Sequence, residues 1–222
     1  MQMNPIISLS NVSVYREKIL TLSELSLEVE PGEFIYLVGK TGSGKTSLLK
    51  TLYAELPLEE GSASIANFDL NNIKPSEVPF LRRKLGIVFQ DFQLLTDRSI
   101  NANLEFVMRA TGWKGEEKIS KRTDEVLATV GIPTKGYKMP HELSGGEQQR
   151  ACIARALVNQ PEIILADEPT GNLDPETSEE VINVLYEISK GGTAVLLATH
   201  NYNLFEKFPG RVVRLDRGHI VD

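Results

Sequence analysis

The sequence predicts an α/β fold in which a parallel β-sheet with helices on its faces carries an N-terminal antiparallel β subdomain and an inserted helical lobe. Apolar and polar residues tend to alternate over residues 6–29, which is the period of half-exposed strands. Further along, short apolar runs alternate with helical patterns, as in a parallel sheet covered on both faces. Helical patterns over residues 98–142 place the insertion at about 92–142.

Length and composition indicate one domain. At 222 residues the chain can bury one large core with a lobe attached, so we expect residues 1–222 to form a single domain that contains the insertion. Hydrophobic residues make up 41% and charged residues 24% of the chain, which excludes global disorder and fibrous repeats.

Several features predict a cytoplasmic protein. No apolar stretch approaches the roughly 18 residues that a membrane span requires, and the first ten residues do not resemble a secretory signal. Cys152 is the single cysteine and cannot form an internal disulfide. A net charge of -6 argues against general nucleic-acid binding, so no nucleic-acid partner is expected.

The first part of the chain predicts strands, a loop and a helix. Residues 25–29 alternate in polarity, residues 31–32 favour a turn, and residues 34–38 form a continuous apolar run typical of a buried strand. After a glycine-rich loop, apolar residues recur at helical spacing from Leu48 until Pro57 ends the pattern.

The remainder alternates strands with helices. A buried strand is predicted over residues 85–89, before the helical block. After that block the predicted elements are a helix over about 145–158, a strand over 163–166, a helix over about 175–189 and a strand over 194–198. This alternation is the reason for predicting a parallel sheet.

The loop after the strand at 34–38 has the pattern Gly-x4-Gly-Lys-Ser/Thr, from Gly39 to Thr46. Its glycines let successive backbone N–H groups converge on phosphate oxygens, and the following helix adds its positive end. Lys45 would reach the terminal phosphates, and the Thr46 hydroxyl would bind Mg²⁺. A glycine-rich turn with a surface lysine is the alternative, but the position between a buried strand and a helix favours a nucleotide site.

Asp167 and Glu168 follow the apolar strand at 163–166. Ligands of open parallel sheets bind at the carboxyl ends of the strands. Asp167 would hold Mg²⁺, directly or through water, and Glu168 would polarise the water that attacks the γ-phosphate. Two solvated acids at a strand end are the alternative, which the phosphate loop disfavours.

Residues 143–150, Leu-Ser-Gly-Gly-Glu-Gln-Gln-Arg, open a predicted helix. Ser144 at the N-cap and Glu147 three residues later form a capping box, which accounts for the segment locally. It does not account for Gly145 and Gly146, because glycine inside a helix costs roughly 0.8–1 kcal/mol relative to alanine. Glycines leave the helix N–H groups open to an anion, so the segment also suits nucleotide bound to another copy of the chain.

In these motifs taken together the chain resembles the ATP-binding-cassette (ABC) family. Residues 143–148 are similar to the family's signature motif, and the phosphate loop, the carboxylate pair, Gln90 and His200 stand in the family's order over residues 15–200. The resemblance implies a P-loop NTPase fold with a RecA-like core, and an ATPase with ATP and Mg²⁺ as cofactors. It also implies a homodimer on ATP binding, with a heterodimer as the alternative, because subunits of this family pack head to tail.

The resemblance also assigns roles to residues. Glu168, His200 and Gln90 would be catalytic: Gln90 contacts Mg²⁺ and the attacking water, and His200 contacts the γ-phosphate. Tyr15 matches the aromatic that stacks on adenine, and structural roles for Tyr15 and His200 are the alternatives. The implied ATP-binding residues are Tyr15, Gly39, Lys40, Thr41, Gly42, Ser43, Gly44, Lys45, Thr46 and Ser47, and the implied metal ligands are Thr46, Gln90 and Asp167.

Two further segments would act across the dimer. The implied signature residues are Leu143, Ser144, Gly145, Gly146, Glu147 and Gln148, of which Ser144 and Gly146 would contact the γ-phosphate in trans. Asn172, Leu173 and Asp174 resemble the D-loop that crosses the interface. Asp174 also suits the N-cap of a helix whose first residue is Pro175. The D-loop role and the N-cap role are compatible.

Residues 166–174 are typical of an ABC subgroup that includes lipoprotein-releasing, macrolide-exporting and FtsE-like cell-division ATPases. Residues 77–83, 89–91 and 94–98 most resemble the FtsE-like ATPases, whereas residues 99–138 depart from them. The resemblance implies an FtsX-like integral membrane permease on a separate chain, regulation of cell-wall hydrolases, and a peripheral position on the inner face of the bacterial cell membrane. The alternative is the ATPase subunit of a lipoprotein-releasing or macrolide/peptide exporter. Soluble ABC ATPases of DNA repair or translation are disfavoured, because the chain has neither a long coiled-coil insertion nor a second cassette.

Overall fold

The computed structural model describes residues 4–221, which form two β-sheets and six α-helices. The strands are β1 (Ile7–Arg16), β2 (Ile19–Val29), β3 (Phe34–Val38), β4 (Glu60–Ile65), β5 (Phe68–Asp69), β6 (Leu85–Val88), β7 (Ile163–Asp167), β8 (Ala194–Thr199), β9 (Arg211–Asp216) and β10 (His219–Val221). The helices are α1 (Lys45–Leu52), α2 (Val78–Arg83), α3 (Ile100–Ala110), α4 (Glu116–Thr129), α5 (Gly145–Leu157) and α6 (Pro175–Lys190).

The larger sheet has the strand order β10-β9-β3-β8-β7-β6. Its strands β9, β3, β8, β7 and β6 pair in parallel, and β10 closes one edge as an antiparallel hairpin with β9. Helix α6 connects the neighbouring parallel strands β7 and β8. The predicted α/β fold with a parallel-sheet core is therefore confirmed.

The central strands are apolar up to their last residue because both faces of the sheet are covered. In β3, Ile35 and Leu37 belong to the core shared with α1 and the N-terminal sheet. Their neighbours Phe34, Tyr36 and Val38 belong to a second core on the opposite face, which includes residues of α3, α4, α5 and α6. Successive strand residues point to opposite faces, so each must be apolar when both faces are buried.

The N-terminal antiparallel sheet has the order β2-β1-β4-β5. Glu17 and Lys18 link β1 to β2 in a tight turn with φ of 49° and 68°. Strand β1 pairs with β2 along one edge and with β4 along the other. The antiparallel sheet was predicted from residues 6–29, and β4 and β5 add two strands that the sequence pattern did not show.

Helix α1 ends earlier than the sequence predicts. Its last helical residue is Leu52, and Ala54 takes a left-handed φ of 55°. The Lys50 carbonyl accepts the N–H groups of Glu55 (2.8 Å) and Leu56 (3.2 Å), which closes the helix end. Pro57 therefore follows the turn rather than stopping the helix, and the predicted boundary there was wrong.

Helices α3 and α4 lie in the sequence between β6 and α5, and they pack on each other and on α5. Met108 and Val126 extend the second core. The first regular helix of this block begins at Ile100, with Ser99 as its N-cap, and residues 92 and 93 before it adopt left-handed backbone angles. The assignment of residues 92–142 as an inserted subdomain stays a prediction. Within residues 4–221 no helix combines the length and the apolar character needed to cross a bilayer.

Candidate nucleotide site

Four neighbouring parallel strands end at the same edge of the larger sheet. Going from β6 to β7, β8 and β3, each strand has one group of predicted site residues at or just after its carboxyl end: Gln90, the pair Asp167 and Glu168, His200, and the loop that starts at Gly39. In parallel strands the carboxyl ends coincide, so residues far apart in sequence meet there.

A cavity of about 740 Å³ lies at this edge. The cavity is lined by most of the residues that the sequence predicted for the nucleotide site, namely Thr41, Gly42, Ser43, Gly44, Lys45, Thr46, Ser47, Gln90, Asp167, Glu168 and His200. Gly39 and Lys40 form the base of the loop, where their carbonyl oxygens accept hydrogen bonds from Lys45 Nζ at 2.7 and 3.4 Å. A cavity of this size accommodates a nucleotide.

The glycines of the loop are required by space and backbone angle. At Gly39 a Cβ atom would lie 2.2 Å from the Leu215 carbonyl oxygen. Gly44 has φ of 107°, and its Cβ would lie 2.5 Å from Leu22 Cδ2. Since α1 begins at Lys45, this backbone delivers the first N–H groups of the helix to the cavity.

Glu168 contacts two basic residues of the site. Its Oε1 lies 3.5 Å from Lys45 Nζ, and its Oε2 lies 2.8 Å from His200 Nδ1. Glu168 has φ of 47°, an uncommon angle for a residue with a side chain, while its N–H donates to the Ala198 carbonyl at 2.9 Å. Strained backbone of this kind concentrates at functional positions because the surrounding structure holds the side chain in one direction.

Asp167 is a half-buried carboxylate whose Oδ1 has no hydrogen-bond partner among the described residues. Burial raises the pKa of Asp167, an effect that the Thr46 hydroxyl opposes. A buried unpaired carboxylate oxygen is costly unless a cation or donor satisfies it. Magnesium takes one or two carboxylates together with substrate phosphates, so Asp167 and Thr46 fit such an ion.

Gln90 is tied to the predicted D-loop. Its Nε2 lies 3.4 Å from Asn172 Oδ1, and the Asn172 amide donates to the Gln90 carbonyl at 3.3 Å. Both residues line a second cavity of about 560 Å³ that shares Thr46 and Asp167 with the first. Asn172 therefore lies beside the nucleotide cavity, whereas Leu173 and Asp174 are not among the residues that line it.

Tyr15 lies outside the lining of the nucleotide cavity in this structure. Its hydroxyl donates to Glu60 Oε1 at 3.2 Å, in the direction of β4. The β1–β2 hairpin nevertheless reaches the cavity through four residues that the sequence did not single out: Arg16, Glu17, Ile19 and Thr21. Their proximity to Tyr15 in the sequence was the available signal.

The signature segment, residues 143–148, does not line the cavity of its own chain. The predicted capping box is confirmed: Glu147 N–H donates to Ser144 Oγ at 3.2 Å, and Ser144 N–H to Glu147 Oε2 at 2.9 Å. The Ser144 N–H, together with Lys135 Nζ at 2.9 Å, lowers the pKa of Glu147. Gly146 is packed so tightly on α6 that a Cβ would lie 2.3 Å from Thr177 Cγ2.

The predicted N-cap of α6 is also present, because Asp174 Oδ1 accepts the Thr177 N–H at 3.0 Å and Pro175 is the first helical residue. The Thr177 hydroxyl and N–H hold the pKa of Asp174 below its ordinary value. This cap fixes the end of the segment that starts at Glu168, since no regular strand or helix intervenes.

Comparison with known proteins decides the family. The sequence profile of the family described as ABC transporter matches residues 22–171. The chain belongs to the ABC transporter family. The cell division ATP-binding protein FtsE of Streptococcus pneumoniae (strain D39) is 44% identical over 210 residues, which cover 95% of this chain and 91% of that protein. The FtsE of Escherichia coli K12 is 40% identical over 199 residues, which cover 90% of this chain and 89% of that protein.

A solved ABC structure has the same fold. It is the dimeric structure of a post-hydrolysis state of an ATP-binding cassette bound to ADP and Pi, with a TM-score of 0.85, 33% identity and 97% coverage of both chains. As a member of the ABC transporter family, the chain is an ATPase that binds ATP and releases ADP and phosphate. The predicted resemblance to FtsE-like ATPases is confirmed by its relatives.

Proposed function

We propose that this chain is the ATP-hydrolysing subunit of an FtsEX-type cell-division complex, closing as a homodimer on two ATP molecules and driving a separate FtsX-like membrane protein that regulates cell-wall hydrolysis. The observation that carries the proposal is 44% identity, over nearly the whole chain, to a protein named for cell division. The chain would act in the cytoplasm, peripherally on the inner face of the bacterial cell membrane. The helical insertion at about 92–142 is the part we assign to the membrane partner.

ATP binding is assigned to the loop from Gly39 to Ser47 and the start of α1. The backbone N–H groups of the loop surround the phosphates, and the Lys45 ammonium neutralises the terminal ones. Lys45 is 7% exposed and held by the Gly39 carbonyl and Glu168, so its charge is aimed into the cavity before nucleotide arrives. Tyr15 would stack on adenine after leaving Glu60.

Thr46, Gln90 and Asp167 are the proposed Mg²⁺ ligands. The fit rests on the unpaired Oδ1 of Asp167 and on the oxygen chemistry of all three side chains. When bound with ATP, Mg²⁺ supplies neutralisation of charge on the phosphate oxygens. The side chains of the chain itself would keep those oxygens in a fixed orientation for in-line attack.

Glu168 is the proposed base or orienting group for the attacking water. Its two oxygens are already directed by Lys45 and His200, so the carboxylate has one fixed plane at the end of β7. His200 would hold Glu168 through Nδ1 and contact the γ-phosphate with its other nitrogen. Catalysis would then depend on positioning and on charge stabilisation.

The signature segment would complete the site from the second subunit. Ser144 is exposed, and the first residues of α5 do not line the cavity of their own chain. In a head-to-tail dimer Ser144 and Gly146 would contact the γ-phosphate held by the other phosphate loop, with Leu143, Gly145, Glu147 and Gln148 shaping the helix end. Asn172, Leu173 and Asp174 would lie at the interface between the subunits.

The Glu168→Gln variant tests this proposal. Glutamine keeps the size of the side chain and a hydrogen bond to His200 but cannot take a proton, so ATP hydrolysis should fall on the order of 10²-fold or more while ATP binding persists. Size-exclusion chromatography with ATP should show a trapped dimer. Glu162→Gln is the matched control, because Glu162 precedes the start of β7, pairs with Lys84 at 2.8 Å and lies outside the cavity. A Glu168→Gln protein that hydrolyses ATP at the normal rate would contradict the assigned role.

The partner is tested with the same trapped variant. Affinity purification with ATP from detergent-solubilised membranes of the native host should retain a permease-like membrane protein together with cell-wall hydrolases or division proteins. Retention of a permease with lipoproteins or a periplasmic adaptor would instead assign the chain to an exporter.

A further inference from the structure

The loop that carries Gln90 is held along its length by one face of α5. This Gln90 loop, residues 89–93, presents three backbone carbonyl groups to that helix. The Phe89 carbonyl accepts from Gln149 Nε2 at 3.2 Å, and the Phe92 carbonyl accepts from Cys152 Sγ and Arg155 Nη2, both at 2.9 Å. The Gln93 carbonyl accepts from Arg155 Nη1. The donors Gln149, Cys152 and Arg155 are spaced three residues apart on α5, and they bond to the loop carbonyl groups in the order in which these occur along the chain.

The Gln90 loop needs these contacts because its backbone is strained. Phe92 and Gln93 are consecutive residues with side chains, and their φ angles are 56° and 52°. Each such residue is unfavourable by roughly 1–2 kcal/mol in the absence of compensating contacts. The side chains of Cys152 and Arg155 bond to the carbonyls of these two residues, so they stabilise the one conformation in which Gln90 faces the nucleotide cavity.

The donors remain available under ordinary conditions. The Arg155 guanidinium is always charged and can serve two carbonyl groups at once through its fork of N–H groups. Burial raises the pKa of the Cys152 thiol to about 12, so the sulfur keeps its proton at neutral pH. Neither contact depends on a change of protonation near neutrality.

The same helix begins at the signature segment. Helix α5 runs from Gly145 to Leu157, and Ser144 is its N-cap. A helix of this length is a rigid rod of about 20 Å. A displacement of its first turn must therefore move Cys152 and Arg155, and with them the carbonyl groups of Phe92 and Gln93.

We propose that Cys152 and Arg155 are positioning residues, which set Gln90 in the nucleotide cavity of their own subunit according to the position of α5. Contact between the signature end of α5 and the ATP of the second subunit would then adjust Gln90 in the first subunit's site. The two sites of the dimer would be coupled through one helix. This inference rests on the proposed roles of Gln90 and of residues 143–148.

The chain contains a matched control for Arg155. Arg122 of α4 also donates to two consecutive carbonyl groups, those of Leu157 at 2.6 Å and Val158 at 3.2 Å, at the far end of α5. It does not contact the Gln90 loop. Loss of Arg122 therefore removes the same kind of hydrogen bonds from the same helix without releasing Gln90.

The experiment measures ATP hydrolysis by the full-length chain as a function of Mg²⁺ and of ATP, with the melting temperature recorded for every variant. The variants are Arg155→Gln, Arg155→Lys, Arg122→Gln, Cys152→Ala, Cys152→Ser, Gln90→Ala and the double variant Gln90→Ala/Arg155→Gln. Arg155→Lys retains the charge but not the fork geometry, and it serves if Arg155→Gln folds poorly. Cys152→Ser retains a donor for the Phe92 carbonyl.

We expect Arg155→Gln to lower kcat about ten-fold and to raise the Mg²⁺ concentration for half-maximal rate, with KM for ATP nearly unchanged. Cys152→Ala should act in the same direction, and Cys152→Ser should restore the rate. The double variant should be no slower than Gln90→Ala alone, because Arg155 acts through Gln90. Arg122→Gln should change only the melting temperature.

Two results would overturn the inference, and they differ. If Gln90→Ala impairs hydrolysis but Arg155→Gln merely lowers the melting temperature as Arg122→Gln does, Cys152 and Arg155 are structural only and the proposed function stands. If Gln90→Ala itself leaves both kcat and the Mg²⁺ dependence unchanged, the proposed role of Gln90 fails together with the inference.

Discussion

Replacement of Gly146 by alanine separates packing from nucleotide chemistry in the signature segment. A Cβ at Gly146 would lie 2.3 Å from Thr177 Cγ2 and 3.7 Å from Thr177 Cβ. Threonine is branched at Cβ and stiff at χ1, so this methyl group cannot move aside freely. The helices α5 and α6 would have to shift apart, and overpacking of this kind costs about 1–3 kcal/mol.

Gly146→Ala should change from destabilising to neutral or stabilising when the clash with Thr177 is removed. Thr177→Ser deletes Cγ2 but keeps the hydroxyl and the N–H that bonds to Asp174 Oδ1 at 3.0 Å. In that background Gly146→Ala should no longer clash, and alanine is the better helix former by up to about 1 kcal/mol. The double variant should therefore be as stable as Thr177→Ser alone, or more stable.

The four proteins to compare are the unmodified chain, Gly146→Ala, Thr177→Ser and the double variant. Urea unfolding followed by circular dichroism gives the free energy of unfolding of each, and ATP hydrolysis is measured on the same samples. If the double variant regains stability but not hydrolysis, Gly146 is also needed by the nucleotide of the second subunit. If Gly146→Ala does not destabilise the chain that retains Thr177, or if Thr177→Ser does not restore stability, packing against Thr177 is not the reason for glycine at position 146.

Three further predictions concern the site and its cap. Lys45→Ala should weaken binding of a fluorescent ATP analogue by at least about ten-fold, because a charge-assisted contact is lost. The control Lys74→Ala removes an exposed lysine and should not change the affinity. Equal affinities of the two variants would exclude Lys45 from the site. Ser144→Ala should lower the free energy of unfolding in urea by about 1 kcal/mol through loss of the N-cap, and an unchanged midpoint would contradict this. Glu147→Gln keeps a hydrogen-bond acceptor but loses the ion pair with Lys135. Because the pKa of Glu147 is lowered in the folded protein, the variant should be less stable than the unmodified protein by a constant amount above pH ~5. This difference in the free energy of unfolding should disappear as the pH falls through the lowered pKa. A difference that grows toward acid pH would have the wrong sign.

The sequence predicted best the elements whose local pattern and tertiary setting agree. Strand β3 is apolar at every position, and β7 and β8 are apolar at all but their last residue, because alternate residues enter two different cores. The caps at Ser144 and Asp174 need only neighbouring residues. Strand β4, with the sequence Glu-Gly-Ser-Ala-Ser-Ile, has little intrinsic β-propensity. It forms because β1 offers it an edge, and a pattern within six residues cannot show that partner.

The site was predictable in its loops but not in its contacts. The order of strand ends follows from the parallel topology, so Gln90, Glu168 and His200 could be placed at one edge. The hydrogen bond between Glu168 and His200 joins residues 32 positions apart. It depends on the left-handed backbone angle at Glu168, which the residue type does not predict. The packing reason for Gly146 likewise lies on α6, whereas sequence reasoning considered only an anion for that glycine.

Tyr15 is a predicted ATP-binding residue that lies outside the lining of the nucleotide cavity. Its hydroxyl donates to Glu60 at 3.2 Å, and the negative charge of Glu60 raises the pKa of Tyr15, so the tyrosine remains a neutral donor. Stacking on adenine would compete with this hydrogen bond. Tyr15→Phe keeps the ring and loses the competing contact, and Glu60→Ala removes the acceptor; both should bind ATP more tightly than the unmodified chain, while Tyr15→Ala should bind more weakly.

Titration with a fluorescent ATP analogue measures these affinities, and Glu59→Ala provides the control, because Glu59 adds nearby negative charge without accepting the hydrogen bond. If Tyr15→Phe and Tyr15→Ala bind equally well, the ring does not contact adenine, and the base would instead lie against Arg16 and Ile19 of the hairpin. If Glu60→Ala weakens binding, the hydrogen bond supports the nucleotide-binding conformation rather than competing with it. Opposite shifts for Tyr15→Phe and Tyr15→Ala are thus the result that only a stacking role explains.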